Sequence, residues 1–420
     1  MTIASFHHLG LIEELTRALD ENNYNTPTPI QLSAIPALLE KQDLLGVAQT
    51  GTGKTAAFSL PVLQQLFTTP STLKPCTARA LVLAPTRELA IQIADNCEIY
   101  SKYLSLRQAT IYGGVKQKPQ VQAMSEGVDL LIATPGRLLD LIQQGRVDLR
   151  SVTHLILDEA DRMLDMGFIN DIRKIMVNIP KKRQTMLFSA TMPASISKLA
   201  NSLLNNPKKI DVTPEVVTVR KIQQSIYKVS KKNKRALLAT LLQNEDISKA
   251  IIFSRTRHGA NRIVKELEHA GISTAAIHGN KSQNARQKAL DIFKEGRIRT
   301  LVATDIAARG IDVDNISHVI NYDLPSEPES YVHRIGRTAR AGTKGAAISF
   351  CDETEGKTLN IIEKIIKFKI PILKTPDLLK LAPIVEETQE RKVAVKKKKN
   401  NAFQKSKMKK QRTRLGKNRK

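Results

Sequence analysis

The sequence predicts an α/β protein built as two tandem parallel-sheet domains with a charged tail. Three observations carry that prediction. Short apolar runs alternate with amphipathic stretches twice along the chain, the pattern of parallel strands covered by helices on both faces. A stretch without periodicity, 213–221, holds Pro214 and separates the two series. Residues 391–420 contain 15 Lys/Arg and no Asp or Glu, so they repel one another and read as a disordered tail.

The elements follow in order. In the first series the apolar runs predict strands at 43–47, 80–84, 109–112, 129–133, 154–157, 185–188 and 209–212, with amphipathic helices such as 12–21 and 87–103 between them. In the second they predict strands at 222–229, 250–254, 274–277, 300–303, 318–322 and 346–351, then a helix near 359–366. Order is expected to fade beyond about Pro383, and no short internal repeat is visible. A chain of 420 residues with 41% hydrophobic content has room for two or three cores. No apolar run reaches membrane-spanning length, and MTIASFHHLGLIEEL lacks the basic start and apolar centre of a signal peptide. Cys76, Cys97 and Cys351 are scattered, as are the eight histidines. The expectation is a cytoplasmic protein with no membrane contact, disulfide framework or structural metal. The net charge is +26, of which +11 remains once the tail's 15 cations are set aside. Such a tail points to nucleic acid, or simply to solubility.

The first chemical signal is GVAQTGTGKT, Gly46 to Thr55, between an expected strand and an expected helix. Small residues let successive backbone N–H groups converge on an anion, and the helix N-terminus adds partial positive charge. Gly51 and Gly53 allow close approach, Lys54 reaches outer phosphates, and the Thr55 hydroxyl can hold Mg²⁺. Ala48 stands where a phosphate loop usually has its first glycine. About a hundred residues on, HLILDEAD ends a strand in clustered carboxylates. Asp158 suits Mg²⁺, and Glu159 could orient or deprotonate a water attacking a γ-phosphate. Taken alone, those acids could equally complement a helix dipole.

The motifs AQTGTGKT, PTRELA, GG, TPGR, DEAD and SAT, in that order, resemble those of DEAD-box RNA helicases of superfamily 2, and IIFSRT, HGNKSQNAR, VATDIAARGID and HRIGRTAR continue the match. The similarity covers about residues 4 to 380, and the compact core with a short basic tail most resembles the bacterial RhlE-type members. The resemblance implies two RecA-like domains, arranged as an adenine-recognition Q motif (4–32), domain 1 (33–212), linker (213–221), domain 2 (222–382) and tail (383–420). It implies ATP and Mg²⁺ as cofactors and an RNA-stimulated ATPase that unwinds RNA locally or remodels RNA–protein particles. Phe6, Tyr24, Pro27, Pro29, Ile30 and Gln31 resemble the Q motif, with Asn23 where a glycine is usual. Tyr24 would stack on the purine, Gln31 would read its edge and Thr26 would contribute backbone. The nucleotide set also includes Gln49, Thr50 and Thr52 in the loop, and Gly310 and Asp312 in ARGID.

Arg337 and Arg340 of HRIGRTAR are three apart, so on a helix they would share a face. If domain 2 closes over domain 1, that face can supply arginine fingers to the γ-phosphate. Ala339 replaces a glycine frequent in the family, a change a helix would tolerate. For RNA the candidates are Pro85, Thr86 and Arg87, Gly113 and Gly114, Thr134, Pro135, Gly136 and Arg137, Gln283 and Arg286, and Thr304 and Asp305. These groups suit phosphates and 2′-hydroxyls, and none of the segments carries an aromatic, so sequence-independent binding to single and duplex RNA is expected. Ribosomal precursors and RNA-decay proteins are the partners the resemblance suggests. An RNA clamp in which hydrolysis only times release, and a DNA translocase on the same core, are the competing readings. Glu159 and Arg340 are intact, against the first, and the DEAD tetrad with its Q motif argues against the second.

Overall fold

A computed structural model describes residues 5–48, 51–212, 222–308, 313, 316–339 and 345–375. The expected linker 213–221 and the tail lie outside the described residues. The first half opens with a short 3-10 turn, Phe6–His8, and helices α1 (Glu13–Glu21) and α2 (Pro29–Leu39). Its strands are β1 (Leu44–Val47), β2 (Ala78–Leu83), β3 (Gln108–Ile111), β4 (Val128–Ala133), β5 (His154–Leu157), β6 (Gln184–Ser189) and β7 (Lys208–Asp211). Between them run α3 (Lys54–Thr68), α4 (Arg87–Tyr100), α5 (Lys118–Met124), α6 (Pro135–Gln143), α7 (Ala160–Asp165), α8 (Ile169–Met176) and α9 (Ala194–Leu203). The expected helix 87–103 thus stops at Tyr100.

These strands form one parallel sheet ordered β3-β4-β2-β5-β6-β1-β7. Alternate residues feed opposite faces: Ala80, Val82, Leu130 and Ile132 enter one core, Leu81, Leu83, Leu131 and Ala133 the other. Both faces are apolar because both are covered, which is why the strands lack a polar alternation. Gly46 is where β1 cannot carry a side chain, since a Cβ there would lie 2.6 Å from the Phe188 ring on β6.

The second half repeats this plan with β8 (Gln223–Lys228), β9 (Ala250–Phe253), β10 (Thr274–Ile277), β11 (Thr300–Ala303), β12 (His318–Asn321), β13 (Ala346–Cys351) and β14 (Ile372–Leu373). Their order is β10-β11-β9-β12-β13-β8-β14, again all parallel. Subtracting seven from each label reproduces the first sheet, so the two halves are copies of one topology. Both are RecA-like folds. The two-residue β14 has no counterpart in the expected strands; Ile372 and Leu373 pair with Ile226 and Tyr227 at the sheet edge, too short a run for periodicity to reveal. Among the described residues, no helix is long and apolar enough to cross a membrane.

Candidate active site

Because every strand is parallel, the carboxyl ends of each sheet share one edge, where loops can place chemistry together. The phosphate loop leaves β1 there and runs into α3. Gly51 and Gly53 adopt positive φ of 82° and 90°, conformations that glycine reaches without a Cβ penalty. A Cβ on Gly53 would stand 2.4 Å from the Gln31 amide nitrogen. Gln31 is 3% exposed and spends its amide locally: Nε2 donates to the Gly53 carbonyl at 3.0 Å, and Oε1 accepts from the Thr28 N–H at 2.8 Å. It therefore braces the loop, leaving one N–H and one lone pair for a base. Tyr24 meets Tyr100 edge-on at 5.9 Å and keeps 38% of its surface exposed. Asn23, with φ 60°, takes the left-handed conformation that asparagine tolerates. Thr26 is exposed, Ala48 is buried, Thr52 and Thr55 are half-buried, and Gln49 and Thr50 lie outside the described residues.

The Lys54 ammonium is buried, donating to the Ala48 carbonyl at 3.0 Å and standing 4.0 Å from Asp158 Oδ1. Asp158 directly follows β5, on the same sheet edge, and is 2% exposed. Burial raises its pKa to about 6 against the pull of Lys54. The neighbouring Glu159 and Asp161 carboxylates push in the same direction as burial. Glu159 caps α7 with φ 51° and ψ 52°, a left-handed backbone that costs a non-glycine residue about 1–2 kcal/mol. Burial opposes its charge, yet Arg162, then Lys54 and Arg337, outweigh burial and hold the carboxyl below its usual range. Arg162 donates directly to Glu159. Asp161 ties the tetrad to Ser189–Thr191, accepting from the Thr191 N–H and hydroxyl, both at 3.0 Å, and from the Ala190 N–H at 3.2 Å.

Arg337 overturns one expectation about local structure. The helix carrying HRI spans Ser330–Ile335 and ends at Gly336. Ala339 has φ 55°, so it is a left-handed turn position and not the helical one expected. Arg337 therefore lies beyond the helix end, and the family's glycine at position 339 answers to backbone geometry. Arg337 nonetheless acts electrostatically on Glu159 from the second half of the chain. Arg340, Gly310 and Asp312 lie outside the described residues.

The expected RNA-facing groups divide. Thr86 caps α4, its hydroxyl accepting from the Leu89 N–H at 3.3 Å; Pro85 precedes it in the loop. Gly114 has φ 80°, and a Cβ there would fall 2.0 Å from the Arg87 guanidinium, while Gly113 leaves room. Thr134, Pro135 and Gly136 start α6, and Arg137 is 3.6 Å from Asp140. Across the two halves, Arg286 pairs with Glu88 at 2.9 Å, Gln283 donates to Glu88 at 3.0 Å, and Arg87 donates to Gln283 at 3.3 Å. Glu88 was not among the candidate residues, because a carboxylate looks wrong beside RNA; its position within PTRELA was the available signal. Asp305 has both carboxylate oxygens held by Arg334, at 2.6 and 2.7 Å. That ion pair fixes its orientation while leaving part of its side chain exposed. Thr304 precedes the four-residue helix Asp305–Ala308, its carbonyl accepting from the Ala307 and Ala308 N–H groups. Arg334 also donates to Asn321 and the Asp323 carbonyl and lies 4.8 Å above the Phe253 ring.

With this geometry in place, the comparisons are decisive. Residues 28–199 match the DEAD/DEAH box helicase family, and 233–342 match the helicase conserved C-terminal domain. The ATP-dependent RNA helicase SrmB of Haemophilus influenzae is 45% identical over 91% of this chain and 87% of its own length.

The chain belongs to the DEAD-box helicases.

The ATP-dependent RNA helicase RhlB of Shewanella denitrificans is 43% identical over 87% of this chain and 86% of its own. The structure of Saccharomyces cerevisiae Dbp5 bound to RNA and ADP BeF3 superposes with a TM-score of 0.80 at 32% identity, covering 90% of this chain and 97% of that one. As a DEAD-box protein, the chain joins its phosphate loop and tetrad at one sheet edge, and the carboxylate–arginine contacts above link its two halves.

Proposed function

We infer that this DEAD-box protein is an ATP-dependent RNA helicase that couples ATP binding and hydrolysis to local, sequence-independent RNA unwinding or remodelling. The observation that carries the reading is the buried Lys54–Asp158–Glu159 set, with Arg337 of the other sheet acting on Glu159. Lys54 meets the β/γ-phosphates. Glu159, kept ionised, orients the attacking water and accepts its proton, while Arg162 fixes the carboxylate. Arg337, and Arg340 by its motif, stabilise charge on the transferring phosphoryl group. Tyr24, Thr26 and Gln31 hold the adenine, and Gly310 and Asp312 complete the nucleotide set from the second domain.

The donor set fits Mg²⁺: Asp158 is a buried carboxylate beside two further carboxylates, Glu159 and Asp161, and Thr55 supplies a hydroxyl on the first turn of α3. These two residues would hold the ion, partly through water; when bound it neutralises phosphate oxygens. Arg87, Arg137, Arg286, Gln283 and the backbone of the glycine and TPG turns grip the RNA strand. Support for RNA comes from the Dbp5 likeness and from segments offering phosphate and hydroxyl partners but no base code. The expected boundaries (33–212 and 222–382 for the two domains), the RhlE-type subgroup, a cytoplasmic setting and ribosomal-precursor or RNA-decay partners belong to the same reading. The test is ATPase stimulation: wild type should respond to RNA and far less to DNA of equal length. Lys54→Ala should abolish turnover, whereas near-normal RNA-stimulated hydrolysis in that variant would sink the phosphate-loop assignment.

A further inference from the structure

The amino edge of the first sheet, opposite the site described above, carries a cavity that the helicase reaction does not use. It has a volume of about 670 Å³, within the range of small-molecule sites. It is framed by the starts of β2, β5 and β6 and by the chain between α3 and β2. Since β5 is four residues long, its far end and Asp158 lie about 13 Å away.

Its charge is one-sided. Lys41, Lys74, Arg79, Lys182 and Arg183 all line it, and no Asp or Glu does. That concentration is not a by-product of a basic domain, because residues 1–212 hold 22 Lys/Arg against 19 Asp/Glu, a net of only +3. Arg79 is committed to Asp129 at 2.7 Å, and Arg183 to the Pro180 carbonyl and the Thr185 hydroxyl. Lys41, Lys74 and Lys182 are exposed, and none of their ammonium groups makes a salt bridge or side-chain hydrogen bond among the described residues, although Lys74 acts electrostatically on Asp148. Three lysines whose ammonium groups make no salt bridge therefore line one hollow.

The floor is polar and built. His154 bonds Gln65 at 2.7 Å and the Thr153 hydroxyl at 2.9 Å. Gln184 is 7% exposed and donates to the Leu38 and Gln42 carbonyls, yet its Oε1 has no hydrogen-bond partner among the described residues. Its amide N–H groups are thus spent within the protein, so a ligand's anionic oxygens must be met along the wall. Thr69, Ser71 and Thr72 add hydroxyls along the wall.

We propose that this cavity is a second phosphate-binding site, taking the phosphate groups of a nucleoside polyphosphate or of an RNA strand at the sheet edge remote from the ATP loop. Lys41, Lys74 and Lys182 supply the charge, and the Thr69, Ser71 and Thr72 hydroxyls along the wall supply hydrogen bonds. The proposal rests on the phosphate-loop reading only in needing that first site to be counted separately.

The test titrates inorganic tripolyphosphate calorimetrically into the full-length chain at about 150 mM salt, where weak binding by dispersed surface charges is screened. Wild type, Lys54→Ala and the triple variant Lys41→Gln/Lys74→Gln/Lys182→Gln are compared, all keeping the same tail. The triple variant should lose one site, or weaken it at least tenfold, while its maximal ATPase rate at saturating RNA stays within twofold as the folding control. Lys54→Ala should lose the other site; if it loses none, the phosphate-loop reading fails and the present one stands. Tripolyphosphate binding unchanged in the triple variant overturns the proposal. The source follows from RNA affinity measured across a salt series. If the log–log slope of the triple variant is shallower by about 2, from three contacts at ~0.7 each, the phosphates are those of RNA. If the slope is unchanged while the tripolyphosphate site is lost, the ligand is a free polyphosphate.

Discussion

Glu159 concentrates the residue-scale argument. Its left-handed backbone is unfavourable in isolation, and it is retained where strain commonly marks function. Changing Glu159 to Gln keeps the size and the hydrogen-bonding reach but removes the proton acceptor. We expect ATP and RNA binding within a few-fold of wild type, with turnover reduced by about 10²–10⁴ and RNA held in a long-lived complex. RNA release as fast as wild type would show that another group orients the water. Position by position, the loop and tetrad were legible because their residue types sit at fixed spacing. Glu88 was not, because its partner Arg286 is about two hundred residues away and only folding brings them together. Burial likewise pushes the His154 imidazole down to about 4, with Arg79 and Lys41 adding to it. Its folded pKa thus lies below the unfolded value near 6.5, so it contributes stability above pH 6.5 that is lost as the pH falls through about 4. Between pH 7 and 4.5, urea unfolding should show wild type losing up to about 2–3 kcal/mol more than His154→Gln. Equal losses would mean that the ring titrates normally in the fold.

At the scale of elements, the parallel strands were readable because each is an apolar run between helices, and the register of β5 against β2 and β6 delivers Asp158 to the right edge. What the pattern could not show was where the arginine-bearing helix ends. RIGRTA reads as continuous helix by charge spacing, but Gly336 stops it and Ala339 turns left-handed. Position 339 follows from this: Ala339→Gly removes the Cβ conflict at a cost in unfolded-chain entropy. A net gain of about 0.5–1 kcal/mol is expected, read as a higher denaturant midpoint without loss of ATPase. A destabilised Ala339→Gly chain would contradict the left-handed geometry. The same element buries Arg334 on Asp305, Asn321 and the Phe253 ring, which explains why the motif carrying Asp305 is internal bracing as much as surface.

At the scale of the molecule, one seven-stranded plan is used twice, with identical strand order and no short repeat in the sequence. Topology survives because it needs only apolar runs in the right order, whereas the exposed chemistry of each copy has diverged. The first copy holds the phosphate loop and carboxylates, the second holds the arginines, and Glu88, Gln283 and Arg286 connect them. Half a site on each copy means that ATP and RNA can each favour the joined arrangement, and hydrolysis can end it. The direct measurement is release of a labelled strand from a short RNA duplex under single-turnover conditions, with ATP, with ADP and without nucleotide. The account predicts rapid release only with ATP, its loss in Lys54→Ala, and little dependence on duplex sequence at matched stability. Equal strand release without ATP, or full unwinding by Lys54→Ala, would contradict it.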